Sequence, residues 1–208
     1  MTISLEHIGK RFNFEWIFRH VTYEFASGNR YALLGPNGSG KSTLLQIISG
    51  SLTHSEGLLV YQDNQKDIPS DRVFSHCSFS APYLELIEEY TCREFLQFHN
   101  KFKPFLRGRS IDEIIKTVHL ERAADKQIRY FSSGMKQRLK LAQAIFADCN
   151  LVMLDEPCTN LDQEGIQLYQ SLVDTFIGDR LLIVSSNDPN EYKMCLHHLQ
   201  MADYKLAY

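Results

Sequence analysis

The sequence has no long apolar run, no excess of positive charge and no close pairs of cysteines. Its apolar runs fall well short of the roughly 20 residues that cross a bilayer, and residues 1–12 lack the apolar core of a signal peptide. We therefore expect a cytoplasmic protein that reaches a membrane only through a partner. The formal charge is −3, whereas nucleic-acid binding favours a basic surface, so we expect no nucleic-acid partner.

The five cysteines are spread over 208 residues, and the closest pair, Cys149 and Cys158, is nine positions apart. An odd number at this spacing suits neither a disulfide framework nor a zinc knuckle, so we interpret all five as reduced residues packed like small apolar side chains. Hydrophobic residues make up 44% and charged residues 23% of the chain, which is typical of a globular protein. The length predicts one domain over residues 1–208.

Apolar patterns along the chain predict an α/β core. The runs at 31–34, 151–154 and 181–184 do not alternate with polar residues, as expected for strands that are covered on both faces. Residues 42–49 and 163–176 carry apolar side chains at the spacing of a helix with one buried face. Because strands that alternate with helices are typical of a parallel sheet, the sequence predicts a parallel α/β core.

Two further regions have a different pattern. Alternating apolar residues near the N-terminus, at Ile3 and Leu5 and again from Val21 to Phe25, predict two more strands. Residues 82–149 have a helical pattern, acidic at first and then basic. We interpret this middle region as a helical insertion into the α/β core.

One segment matches the pattern G-x-x-x-x-G-K-[ST] of a phosphate-binding loop. It consists of Gly35, Pro36, Asn37, Gly38, Ser39, Gly40, Lys41 and Ser42. Glycines allow positive φ and close approach to an anion, successive N–H groups form a concave nest, and the following helix points the positive end of its dipole at the phosphates. In this pattern Lys41 reaches the β and γ phosphates and the Ser42 hydroxyl ligates Mg²⁺, while Thr43 adds contacts to the α phosphate. The segment therefore predicts a site for Mg²⁺ and a nucleoside triphosphate.

Two acids, Asp155 and Glu156, directly follow the predicted strand at 151–154. Open α/β sheets bind ligands at the carboxyl ends of their strands, so we expect Asp155 beside Ser42, where it completes the Mg²⁺ shell through water. Glu156 would face the γ phosphate and orient or deprotonate the attacking water. Together with the phosphate loop, these acids predict hydrolysis of the bound triphosphate.

Residues 129–139, Arg-Tyr-Phe-Ser-Ser-Gly-Met-Lys-Gln-Arg-Leu, resemble the signature segment L-S-G-G-Q of ATP-binding cassette (ABC) ATPases. Residues 159–162, Thr-Asn-Leu-Asp, are similar to the D-loop of that family, and the motifs follow in the family's order. The resemblance implies a P-loop NTPase core with an antiparallel β subdomain and an inserted α-helical subdomain. It also implies an ATPase in which Lys41 and Glu156 are catalytic.

The resemblance implies partners as well. Two copies would pack head to tail, so that each ATP lies between one phosphate loop and the opposite signature, where Ser132 and Gly134 are nearest the γ phosphate. Separate integral membrane subunits would complete a transporter and hold the chain at the inner face of the membrane. The region 83–109, which is acidic, then basic, and rich in Tyr and Phe, would face those subunits. The alternative, an ordinary solvated face, stays open from the sequence alone.

The adenine of the nucleotide usually stacks on an aromatic residue of the early strands in this family. Phe12 is the first candidate for that contact, and Phe14 and Trp16 are the next. The alternative, that these rings only pack in the core, stays open from the sequence alone.

Three departures from the family pattern concern the site. The switch histidine is replaced by Asn187, which can donate a hydrogen bond to the γ phosphate but cannot carry a proton at neutral pH, so we expect slower hydrolysis with ATP binding intact. Ala81 or Pro82 stands in place of the glutamine that senses Mg²⁺ and the membrane partner. The signature has Ser133 and Met135 where the family has glycine and glutamine, which we interpret as a tolerated variation.

The ATPase subunit of an ABC transporter is the leading of three functional hypotheses. A soluble ABC machine acting on DNA or the ribosome would need a long coiled coil between Lys41 and Ser132 or a second cassette, and the sequence contains neither. A slow or non-hydrolysing ABC-type ATP switch with a regulatory role is suggested by Asn187 and opposed by Asp155 and Glu156. The motifs do not indicate the cargo or the direction of transport.

Overall fold

Two sheets organise the computed structural model, which describes residues 1–205. The strands are β1 Thr2–Phe12, β2 Glu15–Ala26, β3 Arg30–Leu34, β4 Glu56–Asp63, β5 Lys66–Asp67, β6 Cys77–Ser80, β7 Leu151–Asp155, β8 Leu181–Ser185 and β9 His197–Gln200. The larger sheet is parallel, in the order β6-β7-β8-β3-β9. The smaller sheet is antiparallel, in the order β2-β1-β4-β5. The three non-alternating apolar runs lie at the centre of the parallel sheet as β3, β7 and β8.

Six α-helices lie between the strands along the chain, among residues 1–205. They are α1 Lys41–Ile48, α2 Cys92–Phe102, α3 Ile111–Thr117, α4 Ser133–Ile145, α5 Gln163–Phe176 and α6 Pro189–Tyr192. Helices α2 to α4 lie between β6 and β7, in the stretch 82–149 where the sequence predicted inserted helices. Capping boxes start two of them, Thr91 with Glu94 at α2 and Ser110 with Glu113 at α3. The fold class, α/β with an antiparallel β part and inserted helices, is confirmed.

Among residues 1–205, no helix is both long enough and apolar enough to cross a bilayer. All five cysteines are free and buried. Their use as small apolar side chains, predicted from their spacing, is therefore confirmed.

Strand β7 is packed on both of its faces. Val152 and Leu154 belong to one hydrophobic cluster, shared with side chains of α4 and α5. Leu151 and Met153 belong to a second cluster, shared with α1 and the antiparallel sheet. Each buried aliphatic side chain of this size stabilises the fold by about 1.5–3 kcal/mol, so β7 is firmly held, and with it the point at which Asp155 leaves the sheet.

The carboxyl ends of four parallel strands meet at one edge of the larger sheet, because β6, β7, β8 and β3 are consecutive neighbours. Strand β3 leads into the phosphate loop, and β7 leads into Glu156. Strand β8 is followed by Asn187, and β6 by Ala81 and Pro82. The parallel topology therefore gathers loops that are distant in sequence at one edge.

Candidate active site

The phosphate loop has a backbone that only glycine adopts without strain at several positions. Gly35, Gly38 and Gly40 have φ of 143°, 75° and 96°, in the region that side chains disfavour. At Gly40 a Cβ would also lie 2.7 Å from the Phe18 ring and 2.8 Å from Ile17. The glycines therefore let the loop turn tightly against β2 just before α1 begins.

Lys41 lies inside this loop rather than on the surface, with only 5% of the residue exposed. Its ammonium donates hydrogen bonds to the carbonyl oxygens of Gly35, at 2.7 Å, and Pro36, at 3.3 Å. Burial lowers the pKa of Lys41, and the carboxylates of Glu156 and Asp155 act in the opposite direction. The Lys41 ammonium therefore lies within electrostatic range of the two acids at the end of β7.

Asp155 has the properties of a ligand for a hard cation. The residue is 2% exposed, and its Oδ1 atom is buried with no hydrogen-bond partner among residues 1–205. A buried carboxylate oxygen without a partner is costly, and Mg²⁺ would satisfy it. Ser42, in the first turn of α1, would supply the hydroxyl ligand, while water and phosphate oxygens fill the remaining positions. Within the same residues no group of three or more His, Cys, Asp or Glu side chains is arranged for a metal.

Glu156 has a left-handed backbone, with φ of 43°, which is uncommon for a residue other than glycine. Its N–H donates to the carbonyl of Ser185 at 2.9 Å, and its own carbonyl accepts from the N–H of Thr159 at 3.1 Å. These bonds turn the chain sharply after β7. Glu156 then lines a cavity of about 400 Å³, which Asn37 and Asn187 also line.

Asn187 is connected to the phosphate loop. Its side-chain amide donates a hydrogen bond to Oδ1 of Asn37 at 3.0 Å, and its side chain is exposed at the cavity that contains Glu156. The structure therefore places Asn187 beside the phosphate loop, at the cavity that Glu156 also lines. An amide can donate a hydrogen bond there, but it cannot exchange a proton.

Tyr83, which the sequence placed only in the region expected to face membrane subunits, lies near Asp155. Its hydroxyl accepts a hydrogen bond from Gln46 of α1 at 3.2 Å. Burial raises the pKa of Tyr83, and the nearby Asp155 carboxylate raises it further. Ala81, one candidate for the position of the family's glutamine, is fully buried instead. The only sequence signal was an aromatic hydroxyl three residues after β6.

The signature lies at the start of α4, with its own cavity of about 350 Å³ that contains no residue of the phosphate loop. Ser132 caps the helix, since its Oγ accepts the N–H of Met135 at 3.3 Å. The hydroxyl proton of Ser132 stays available for an anion. A Cβ on Gly134 would lie 3.2 Å from the carbonyl of Asn160 in the D-loop, so signature and D-loop are in close contact within one chain.

Phe12 lies at the hairpin between β1 and β2, where it pairs with Glu15. Its side chain is 48% exposed, and the Lys10 ammonium lies 4.8 Å from the ring centre. Phe14 is 96% exposed, whereas the Trp16 ring has the Arg19 guanidinium 4.3 Å from its centre. Of the three aromatic candidates, Phe12 combines an exposed ring with a fixed strand position, and its adenine contact stays a prediction.

The candidate residues thus fall into three groups. The phosphate loop, the acids after β7 and Asn187 lie together at the carboxyl edge of the parallel sheet. Ser132 and Gly134 lie at a separate cavity, which D-loop residues also line. Phe12 lies on the antiparallel sheet. The first group forms a site within one chain.

The sequence has relatives of known family. The ABC transporter family model matches residues 18–159. The uncharacterized ABC transporter ATP-binding protein YcbN of Bacillus subtilis is 31% identical over 187 residues, which cover 88% of this chain and 61% of YcbN. A second Bacillus subtilis protein of the same description, YybJ, is 29% identical over 203 residues, which cover 96% of this chain and 92% of YybJ. The chain therefore spans less than two thirds of YcbN but most of YybJ.

The fold also has solved relatives. A dimeric structure of the ATP-binding cassette MJ0796, in a post-hydrolysis state bound to ADP and Pi, superposes with a TM-score of 0.80. The match covers 95% of this chain and 93% of that one, at 22% identity. At that identity the likeness supports a shared fold.

Proposed function

The chain belongs to the ABC transporter family, and from this premise we propose that it is the ATP-binding and ATP-hydrolysing subunit of an ABC transporter. One observation carries the proposal: a buried lysine is held inside a glycine-rich loop, and it lies within electrostatic range of two acids. One of these acids, Asp155, has a buried oxygen without a partner among residues 1–205. This arrangement suits a triphosphate with its Mg²⁺ better than any smaller anion, since it offers positive charge, amides and a metal ligand together.

The roles of the residues follow from their positions. Lys41 and the backbone N–H groups of the phosphate loop hold the β and γ phosphates. Ser42 and Asp155 would hold Mg²⁺, which would neutralise charge that develops on the phosphates. Glu156 orients the attacking water and accepts its proton. Asn187 donates a hydrogen bond to the γ phosphate, and hydrolysis is slower than with a histidine at this position.

A second copy of the chain completes the site in this proposal. The exposed hydroxyl of Ser132 and the amides at the start of α4 form an anion site that lacks a phosphate loop of its own. When two copies pack head to tail, this surface closes on the γ phosphate held by the other copy. ATP then holds the dimer together, and hydrolysis releases it. The dimeric MJ0796 cassette supports such an arrangement by analogy of fold.

Integral membrane subunits are the other proposed partners, and they would hold the chain at the inner face of the membrane. A cavity of about 380 Å³ lies between α1, β6 and α2, and Phe74, Phe79 and Tyr83 are among the residues that line it. Several apolar side chains of the loop after β6, including Leu84 and Ile87, are exposed beside it. We place the contact with the membrane subunits on this surface and along 83–109.

The Glu156→Gln variant tests the proposed hydrolysis, with Glu121→Gln, an exposed acid, as the control. Phosphate release and oligomeric state are measured with Mg-ATP, by a coupled assay and size-exclusion chromatography. We expect Glu156→Gln to lose turnover by about a hundredfold or more while it accumulates as an ATP-bound dimer, and Glu121→Gln to behave as wild type.

Equal phosphate release by wild type and Glu156→Gln would show that this acid is not the base. A chain that binds ATP and dimerises without releasing phosphate would instead be a regulatory switch.

A further inference from the structure

Glu191 is a buried carboxylate for which the proposed chemistry has no direct use. It lies in α6, only 4% of the residue is exposed, and both of its oxygens accept hydrogen bonds. Oε1 accepts the backbone N–H of Cys158 at 2.6 Å, and Oε2 accepts the hydroxyl of Ser186. One side chain therefore bonds to two different loops.

The two loops are the ones that carry the reacting side chains. Cys158 is two residues after Glu156, in the turn that leads to the D-loop, and Ser186 directly precedes Asn187. Ser186 also accepts the N–H of Asp188 at 2.8 Å, so the bond from Glu191 fixes the loop after β8 on both sides of Asn187. The left-handed backbone of Glu156 needs such outside support, because a conformation of this kind persists only where the surroundings hold it.

Burying the Glu191 carboxylate costs free energy of folding. Burial raises the pKa of Glu191, and its bonds to Ser186 and Cys158 act in the opposite direction. The backbone of Glu191 is itself fixed, since its carbonyl accepts the hydroxyl of the fully buried Tyr169 at 2.7 Å. An apolar side chain would fill this position without the desolvation cost of a charge, so packing alone does not account for a carboxylate here.

We propose that Glu191 is a positioning residue that ties the loop after β7 to the loop after β8 and so holds Glu156 and Asn187 in fixed places for hydrolysis. The inference rests on the proposed function: Glu191, which also lines the cavity of Glu156 and Asn187, acts through the two loops that it joins. It also links the D-loop to the switch position within one chain, through Cys158 and Ser186.

The test compares Glu191→Met, which removes both acceptors at similar volume, with Glu191→Gln, whose amide oxygen can still accept from Cys158. We expect kcat of Glu191→Met to fall about 10- to 100-fold, as for a misplaced catalytic group, with the affinity for ATP within about threefold of wild type. Glu191→Gln should recover most of the loss. Glu113→Met is the matched control, because Glu113 also accepts an N–H and a hydroxyl, both from Ser110, but lies exposed at α3.

Amide hydrogen exchange gives a readout that does not depend on activity. In Glu191→Met, exchange should rise at residues 158–161 and 186–188 and stay unchanged in β7 and β8. If Glu191→Met does not fold, Ser186→Ala takes its place, with the rise expected at 186–188. Unchanged exchange in these loops, or a kcat that keeps the wild-type value, overturns the positioning role. A wild-type chain without phosphate release would overturn the proposed function instead, and the exchange result would still decide whether Glu191 joins the two loops.

Discussion

The phosphate loop and the signature are two anion-binding surfaces of one chain, and they are built differently. Around the phosphate loop, among residues 1–205, buried polar atoms lack partners, such as Ser39 Oγ and Asp155 Oδ1. At the signature no buried side-chain polar atom of residues 1–205 lacks a partner. Ser132 is exposed and caps α4, and Arg138 lies 3.7 Å from Asp162. The difference indicates that the first surface contains buried polar atoms that a ligand would satisfy, whereas the Ser132 hydroxyl of the second is exposed and free to bind a nucleotide held by another copy.

The largest effect on the signature surface is expected for Gly134→Asp. A carboxylate at the start of α4 would repel the γ phosphate of the other copy, and its Cβ would press on the Asn160 carbonyl, 3.2 Å away. We expect hydrolysis and ATP-dependent dimerisation to fall by about a hundredfold, while a monomer still binds ATP at the phosphate loop. Phosphate release and analytical ultracentrifugation with Mg-ATP measure the two effects.

Ser133→Ala is the control for that variant, because the Ser133 side chain is exposed and Ser132 provides the helix cap. It should leave both quantities within about twofold of wild type. Weakened nucleotide binding by the Gly134→Asp monomer would show that the two surfaces are not separate.

Asn187→His tests whether the asparagine beside the phosphate loop limits the rate of hydrolysis. A histidine donates a stronger, charge-assisted bond when protonated and can exchange a proton, so we expect turnover to rise about fivefold to tenfold with ATP affinity unchanged. Steady-state phosphate release against ATP concentration separates kcat from KM. A variant no faster than wild type would contradict the view that this asparagine limits the rate.

The smallest expected effect is at Phe12, outside both surfaces. Phe12→Ala should weaken ATP binding by about fivefold through the loss of adenine stacking, with little change in kcat. Phe14→Ala, at a ring that is 96% exposed, is the control and should bind ATP as wild type does. Fluorescent-nucleotide titration measures both, and equal affinity of the two variants would remove Phe12 from the site.

Much of the central fold was predictable because its signals are local. The runs at 31–34, 151–154 and 181–184 became β3, β7 and β8, since strands covered on both faces need continuous apolar sequence. The phosphate loop was predictable for the same reason: its backbone conformation demands glycines at fixed spacing.

Other elements gave no such signal. Strand β6 contains Ser78 and Ser80, which are buried, so its sequence lacks an apolar pattern. Ser78 is tolerated because its hydroxyl donates to the Ala144 carbonyl at 2.7 Å, a contact with a distant helix. Strand β9 has one buried side chain, Leu199, between exposed residues, which is too little for a periodic pattern.

The site itself was predictable where a motif carries it and not where it depends on contacts between distant segments. Lys41 and Asp155 belong to local motifs. Tyr83 and Glu191 do not, since their places depend on Gln46 and Cys158, which are far away in the sequence. Such partners become visible only once the chain is folded.

The burial of all five cysteines makes the chain well suited to chemical labelling. Thiol reagents attack the exposed thiolate, and burial raises the pKa of Cys77 to about 11 and that of Cys92 to about 12. A cysteine introduced at the exposed Ser133 would therefore react far ahead of the native ones. A bifunctional reagent attached there would cross-link two copies that associate through the signature surface. The product would appear as a covalent dimer band on a denaturing gel.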